Sequence, residues 1–386
     1  MSTEPDGHAS TPVTLETDRE GDVPIGHRLA QWRERRGIEV TDLARHSGLT
    51  EHLIVGVEAG RDWVDHHRVL CSLADGLHLD PLDLTGQPYA PYGEHHATVR
   101  AAAWHLRRHA LRPGPHTSAD REWEPTRLRS AGEEVRDAQA AGDEYALALV
   151  LPELLEVADH AVSARGGDHR EIVTARNLAY ASAAGLLRRL GYRDLAWSLL
   201  HRARPAAADG QVVETEEVRL LTSMGMPGVA ADRAERHLAA ERSVGLLCAA
   251  AFAHATAGQR LHAEQRLDEA DGRIAGEADK AEVAAARAGS AMQFGAWEQV
   301  LETQGAVASM PPGRRADMLL LAAGAWARGG EIGRAVERLA AAEEAAALYI
   351  RLDPLARELL RALRARDRDA ADARVLARMA GRFGMK

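Results

Sequence analysis

The sequence predicts an all-α protein of two unequal parts: a small bundle of five short helices, then a right-handed solenoid of helical hairpins. Three observations carry this. Apolar residues make up 46% of the 386 residues but aromatics only 4%. Alanine fills the difference, so small side chains recur at helical spacing while long Val/Ile/Tyr strand runs are missing. Between Val40 and Arg61, two short apolar-patterned segments are joined by a tight turn at Ser47-Gly48-Leu49. Farther on, a glycine ends one apolar helix and opens a short turn at Gly191, Gly225, Gly258, Gly295 and Gly330, at intervals of 34, 33, 37 and 35 residues.

Residues 1–23 are rich in Thr, Glu, Asp, Gly and Pro without apolar periodicity, and are expected to form a disordered tail. A head domain follows over residues 24–86. Its first helix carries Ile25, Leu29 and Trp32 on one face and ends at Gly37. Leu43, Ala44, Leu49, Ile54 and Val57 face a core shared by the next two helices. Gly48 supplies the left-handed residue that stops the second helix, Thr50 caps the third, and Gly60 closes it. A helix from about Asp65 to Leu77 turns Val69, Leu70, Leu73 and Leu77 inward, and a short one opens on Pro81. Residues 87–125 read as a linker holding one helix, His96 to Arg112, with an apolar stripe and a basic outer face.

Residues 126–386 are helix after helix. Five residues past the recurring glycines lie Ala196, Ala230, Ala263, Val300 and Ala335. Seven before them lie Ala184, Val218, Ala251, Ala288 and Ala323. These are expected where paired helices cross closely, because a large side chain there would clash. The interval is that of tetratricopeptide-type repeats, and the amphipathic segment Asp367 to Phe383 is expected to cap the stack.

Composition narrows the function. A net charge of −9 argues against a chain that coats nucleic acid along its whole length. Cys71 and Cys248 lie far apart in apolar helical runs and read as reduced core thiols. With no signal peptide and no apolar run of the ~18–20 residues a membrane span needs, the expectation is a cytoplasmic protein without membrane contact. The eighteen His show no zinc-like spacing, so no metal or cofactor is expected. Phosphate-cradling GxxxxGK[ST], GxSxG and HExxH patterns are missing, and Glu216-Glu217 and Glu343-Glu344 read as solvated carboxylate pairs. An enzyme is not expected.

Helix, glycine turn, capped helix is the helix-turn-helix pattern, whose second helix enters the major groove. GHRLAQWRERRG, DLARHSGLT, IVGVEAGR and LADGLHLDPLDLTGQPY together resemble the lambda-repressor-like DNA-binding domain of XRE-type transcription regulators. The resemblance implies a salt bridge within the head between Arg33 and Glu58. It places Val40, Thr41, Thr50, Glu51, His52, Val55 and Gly56 toward the groove of double-stranded DNA. It places Arg61, His66 and His67 on phosphates. Val40 and Glu51 depart from the polar and basic residues usual at those positions, and seven Arg face ten acids between Ile25 and Gly86, a net of −3. Two readings stay open: a head that reads DNA, with Glu51 accepting from a cytosine amino group, and a degenerate head that serves protein interaction.

The concave face of such a repeat array would draw on Asn177, Leu178, Arg188 and Phe252, as a groove for a peptide or small-molecule effector. Taken whole, the chain resembles multi-domain XRE regulators in which a helix-turn-helix precedes a tetratricopeptide-like sensor. That resemblance implies a homodimeric transcription regulator.

Overall fold

The computed structural model describes residues 23–111, 125–165, 170–203, 211–366 and 369–385. Of the tail expected at residues 1–23 all but Val23, and of the linker expected at 87–125 residues 112–124, lie outside them. All regular structure among the described residues is helical.

Five helices build the head: α1 (Ile25–Arg35), α2 (Val40–Ser47), α3 (Glu51–Glu58), α4 (His67–Gly76) and α5 (Pro81–Thr85). Ile25, Leu29, Leu43, Ile54, Val57, Leu73, Leu77 and Leu84 close its core, each at most 2% exposed. Removing such side chains from water is the main drive for so small a bundle. The packing also needs glycine at position 26. A Cβ there would lie 1.9 Å from the carbonyl oxygen of Val57, so Gly26 is what lets α1 and α3 touch backbone to backbone.

Residues 86–93 carry the chain from the head into a helical array: α6 (Glu94–Leu111), α7 (Pro125–Ala141), α8 (Glu144–Arg165), α9 (Arg170–Leu190), α10 (Arg193–Ala203), α11 (Gln211–Ser223), α12 (Pro227–Leu238), α13 (Val244–Thr256), α14 (Arg260–Asp271), α15 (Glu277–Gln293), α16 (Trp297–Glu302), α17 (Pro312–Arg328), α18 (Ile332–Ala345), α19 (Ala347–Leu352), α20 (Pro354–Arg366) and α21 (Ala370–Arg382). The pairs α9/α10, α11/α12, α13/α14, α15/α16 and α17/α18 pack as hairpins. Each turns on one backbone device. At Gly191, Gly225, Gly258, Gly295 and Gly330 φ is between +69° and +87°. The next N–H then reaches the carbonyl five residues back, as Tyr192 does to Leu187 and Gln259 to His254, both at 2.8 Å. This closes the helix end with otherwise orphaned groups satisfied. The small residues flanking these turns, from Ala184 and Ala196 to Ala323 and Ala335, are all buried.

The array curls round until α17 and α19 meet α7, α8 and α9. Gly142 and Gly313 meet there so closely that a Cβ on Gly142 would sit 3.1 Å from the Gly313 Cα. Ion pairs bridge elements inside the array. Arg314 joins Glu282 and Asp317, Arg219 also meets Glu282, and Arg189 meets Glu144. Of the carboxylate pairs expected on solvated faces, Glu344 is exposed, but the other three are not. Glu216, Glu217 and Glu343 are 6%, 1% and 3% exposed. Arginines compensate that burial: Arg188 on Glu216, Arg233 on Glu217, and both Arg351 and Arg382 on Glu343.

The segment read as a linker is built into the fold. Gln87 is buried and donates to the carbonyls of Arg189 and Leu352, at 2.9 and 3.3 Å. Tyr89 is buried beneath the Arg357 guanidinium. α6 contributes Val99, Ala102, Ala103 and Leu106 to the same core as α8 and α9.

Candidate nucleic-acid interface

Turn geometry presents α3. Gly48, at φ +68°, ends α2, and Ser47 Oγ donates to the Leu43 carbonyl. Thr50 adopts extended backbone and its hydroxyl accepts from the Leu53 N–H at 3.3 Å, capping α3. Ile54 and Val57 point into the head core, which leaves Thr50, Glu51, His52 and Val55 on the outer side. All four are exposed, Val55 by 41% despite its apolar side chain. Thr41, Arg45 and His46 of α2 are exposed as well. An apolar methyl pair among hydrogen-bonding groups suits a groove edge, where thymine offers a methyl group and other positions offer donors and acceptors.

The interior side of α3 is tied down by Arg33. Its Nε and Nη2 donate to the two carboxylate oxygens of Glu58, at 2.7 and 2.9 Å, and Nη1 donates to the Ile38 carbonyl. The fork engages α1, α3 and the intervening loop at once, in the two-point geometry that suits arginine.

Three of the residues assigned to DNA are placed otherwise. Gly56 is buried, and its carbonyl accepts from the N–H groups of Arg61 and Asp62 at the end of α3. A Cβ at Gly56 would meet the Asp62 Cβ at 3.2 Å, so glycine stands there for packing. His66 turns to Asp65 at 2.6 Å and lies edge-on to Trp297. The His67 ring lies edge-on to Phe252 at 5.5 Å, in the contact between head and array. Burial, with Arg193 and Arg188 nearby, lowers the His67 pKa to about 4, so it stays neutral near pH 7. Neither histidine faces a phosphate. Arg61 alone of the three loop positions is exposed.

That same loop is where the head meets the array, which sequence reasoning missed. Arg328 at the end of α17 donates to Asp62 and Asp65, both at 2.6 Å, and to the Trp63 carbonyl at 2.9 Å. Arg193 reaches Asp80 at 2.8 Å, the Arg68 N–H donates to Gln293, and Cys71 Sγ donates weakly to the Thr222 carbonyl. The array's turn glycines are part of this platform: a Cβ on Gly191 would strike Gln87 and one on Gly225 would strike Pro81. The signal in the sequence was Trp63, a large apolar residue that with Val64 interrupts a charged and polar loop.

Docking changes the electrostatics of the head. Asp62, Asp65 and Asp80 are paired by array arginines, and Glu58 is paired with Arg33. Arg193, Arg328 and Arg366, all in contact with the head, match its deficit of three charges. On the outer side, Asp42 is paired with Arg45, and Glu51 stands beside His52 at the start of α3.

The effector positions do not form one surface. Asn177 and Leu178 are buried in α9, eleven residues before Arg188, or ~16 Å along a helix. Arg188 Nε donates to Glu216 at 2.6 Å, and the head covers Phe252 through His67. Among the described residues no group of three His, Cys, Asp or Glu side chains could hold a metal ion, and no helix is long and apolar enough to cross a membrane.

A family model described as a helix-turn-helix domain matches residues 24–85. No curated protein and no solved structure matches the chain. The match spans α1 to α5, so the head is a helix-turn-helix domain, which suggests DNA-binding regulation.

Proposed function

We propose that the protein is a sequence-specific transcription regulator of the XRE type, which reads double-stranded DNA through α3. The observation that carries this is the outward presentation of Thr50, Glu51, His52 and Val55 while the rest of the head is anchored on the helical array. Three of the head's ten acids, Asp62, Asp65 and Asp80, are paired with arginines of the array, which offsets the net of −3 that is the main objection to DNA binding. Phosphate attraction dominates affinity, so the placing of these charges matters more than their total. In this reading Thr41 and Arg61 position the domain on the backbone, while Glu51 and His52 meet base edges. A two-fold homodimer would set two copies of α3 about 34 Å apart, one turn of DNA. The tetratricopeptide-like array would carry that dimer contact or take up a peptide or small-molecule effector.

The test is selection of bound duplexes from a random pool by the full-length protein, then anisotropy titrations at two salt concentrations. A recovered consensus with strongly salt-dependent affinity is the expected result. His52→Ala should relax the preference at one or two base pairs, by ~1–3 kcal/mol each. Absence of any duplex binding at low salt would overturn the reading, and stable capture of a partner protein by the head instead would establish an interaction scaffold.

A further inference from the structure

The head is short of cations where a phosphate grip is due. Of the loop from Arg61 to His67, only the Arg61 side chain is exposed. Asp62 and Asp65 turn to Arg328, and the two histidines turn to Asp65, Trp297 and Phe252.

A second element reaches this place from the far end of the chain. α20 is fastened to the head at two points. Glu358 Oε2 accepts from the Ile25 N–H at 3.3 Å, at the start of α1. Eight residues on, ~12 Å along the helix, Arg366 Nη2 donates to the Arg61 carbonyl at 2.5 Å. The Arg366 guanidinium also lies 4.5 Å from the Trp63 ring centroid. The C-terminal end of α20 is thereby held beside the loop that follows α3.

This end of the chain is basic. Residues 354–386 hold eight Arg and one Lys against four acids, a net of +5 in a chain of net −9. Arg364 is exposed on the last turn of α20, and Arg374 and Arg378 are exposed on α21. Cations on a last helical turn also suit the helix dipole, worth a few tenths of a kcal/mol. That effect does not explain the clasp on the Arg61 carbonyl, and of the excess cations Arg382 is taken up by Glu343 while Arg364, Arg374 and Arg378 stay exposed.

We infer that the C-terminal hairpin is part of the DNA interface: Arg366, clasped beside Arg61, and Arg364, on the solvent side of the same turn of α20, add cations to the phosphate-contacting surface of the recognition loop. The ligand is the sugar-phosphate backbone of the duplex that α3 reads, on the flank of the base-read segment, and the contact is independent of base sequence. The inference rests on the DNA-binding reading given above. It makes the array a structural part of the reader.

The experiment uses full-length protein and anisotropy titrations over a series of NaCl concentrations, with a selected duplex and a scrambled duplex of equal length. The variants are Arg364→Ala, the double Arg364→Ala/Arg366→Ala, and Arg366→Lys, with circular dichroism and melting to show that each folds. Each phosphate contact contributes about 0.9 to the slope of log K against log salt. The double variant is expected to have a slope shallower by about one to two, with affinity for both duplexes lowered by the same factor. Arg364→Ala should show about half that change, and Arg366→Lys, which keeps its charge, should hold close to the native slope. A folded double variant with native slope and affinity overturns this inference and leaves the DNA-binding reading standing. Weakened binding to the selected duplex alone also overturns it, since that pattern marks a disturbed α3. If the unaltered protein binds neither duplex at low salt, the DNA-binding reading falls and takes this one with it.

Discussion

The Arg328 guanidinium lies 3.9 Å from the centroid of the Trp63 ring, 265 residues away in sequence. From that position it donates to Asp62, Asp65 and the Trp63 carbonyl. Burial alone would raise the Asp65 pKa, but the hydrogen bond with His66 and the charge of Arg328 hold it below the usual carboxylate range. One side chain of the array therefore holds the loop that follows α3 at three points.

Arg328→Ala removes the partner of two carboxylates, one of them 3% exposed. Breaking a buried pair on one side costs ~3–5 kcal/mol. The cost should fall on head docking. Amide exchange in α4 and in the Asp62–His66 loop should rise by two or more orders of magnitude, while α9 and α13 keep their protection. Exchange that stays at native rates in the loop would show that other contacts hold the head. Arg328→Ala/Asp65→Ala should recover part of the loss.

What the sequence revealed follows from the range of the interactions concerned. Gly48, Thr50 and the five turn glycines act within one helix end, so their spacing alone exposes them. Gly56 was misread because a helical repeat gives its angular position roughly and does not reveal that the following turn folds back on it. His66 and His67 were misread for a related reason: their partners, Trp297 and Phe252, lie nearly 200 residues or more ahead. Glu216, Glu217 and Glu343 look solvated until the arginines of neighbouring helices are brought beside them. The head's docking had no local pattern, since each bond joins groups more than 100 positions apart, several of them on the backbone.

The turn glycines separate two costs that sequence periodicity merges. At Gly330 φ is +79° and a Cβ would meet open space, so Gly330→Ala should cost only the left-handed strain, ~1–2 kcal/mol. At Gly191, φ is +87° and the Cβ would also lie 2.8 Å from the Gln87 Cβ. Gly191→Ala should cost clearly more, and should speed amide exchange around Gln87 and α5, which Gly330→Ala leaves alone. Chemical denaturation with exchange readout distinguishes them. Equal costs at the two sites would refute the idea that the glycine row serves as a docking surface.

Thr50 has two roles that one pair of variants can part. Its hydroxyl caps α3 through the Leu53 N–H, so Thr50→Ala should lose ~1 kcal/mol of head stability. Thr50→Ser keeps the hydroxyl and should retain nearly all of that stability. Loss of the methyl group alone should still alter binding to a selected duplex, if the methyl meets a base edge. Melting and anisotropy on both variants read the two effects separately. Equal stability of the Ala and Ser proteins would remove the cap from the account.

His67 gives the head–array contact a dependence on pH. Its folded pKa, about 4, lies below the ordinary 6.5, chiefly through burial and then through Arg193 and Arg188. Between those values the unfolded state binds the proton and the folded state does not. Stability from this residue is therefore complete above pH 6.5 and declines as pH falls toward 4. At pH 5 the loss amounts to about 2 kcal/mol, at 1.36 kcal/mol per pH unit. His96, lowered to about 4 by burial and then by Arg100 and Arg357, acts in the same direction. Asp353, raised to about 6 chiefly by burial, acts against both: its contribution grows as pH falls from 6 toward 3.8. The comparison of native protein with His67→Gln cancels those two, since both proteins retain them. The stability difference between pH 7.5 and pH 5 should be smaller in the variant by about 2 kcal/mol, and the pH 5 exchange of α4 should slow accordingly. Parallel pH profiles for the two proteins would mean that His67 is charged, or free to turn to solvent, in the folded state. The edge-on contact with Phe252 would then not describe the ring in solution.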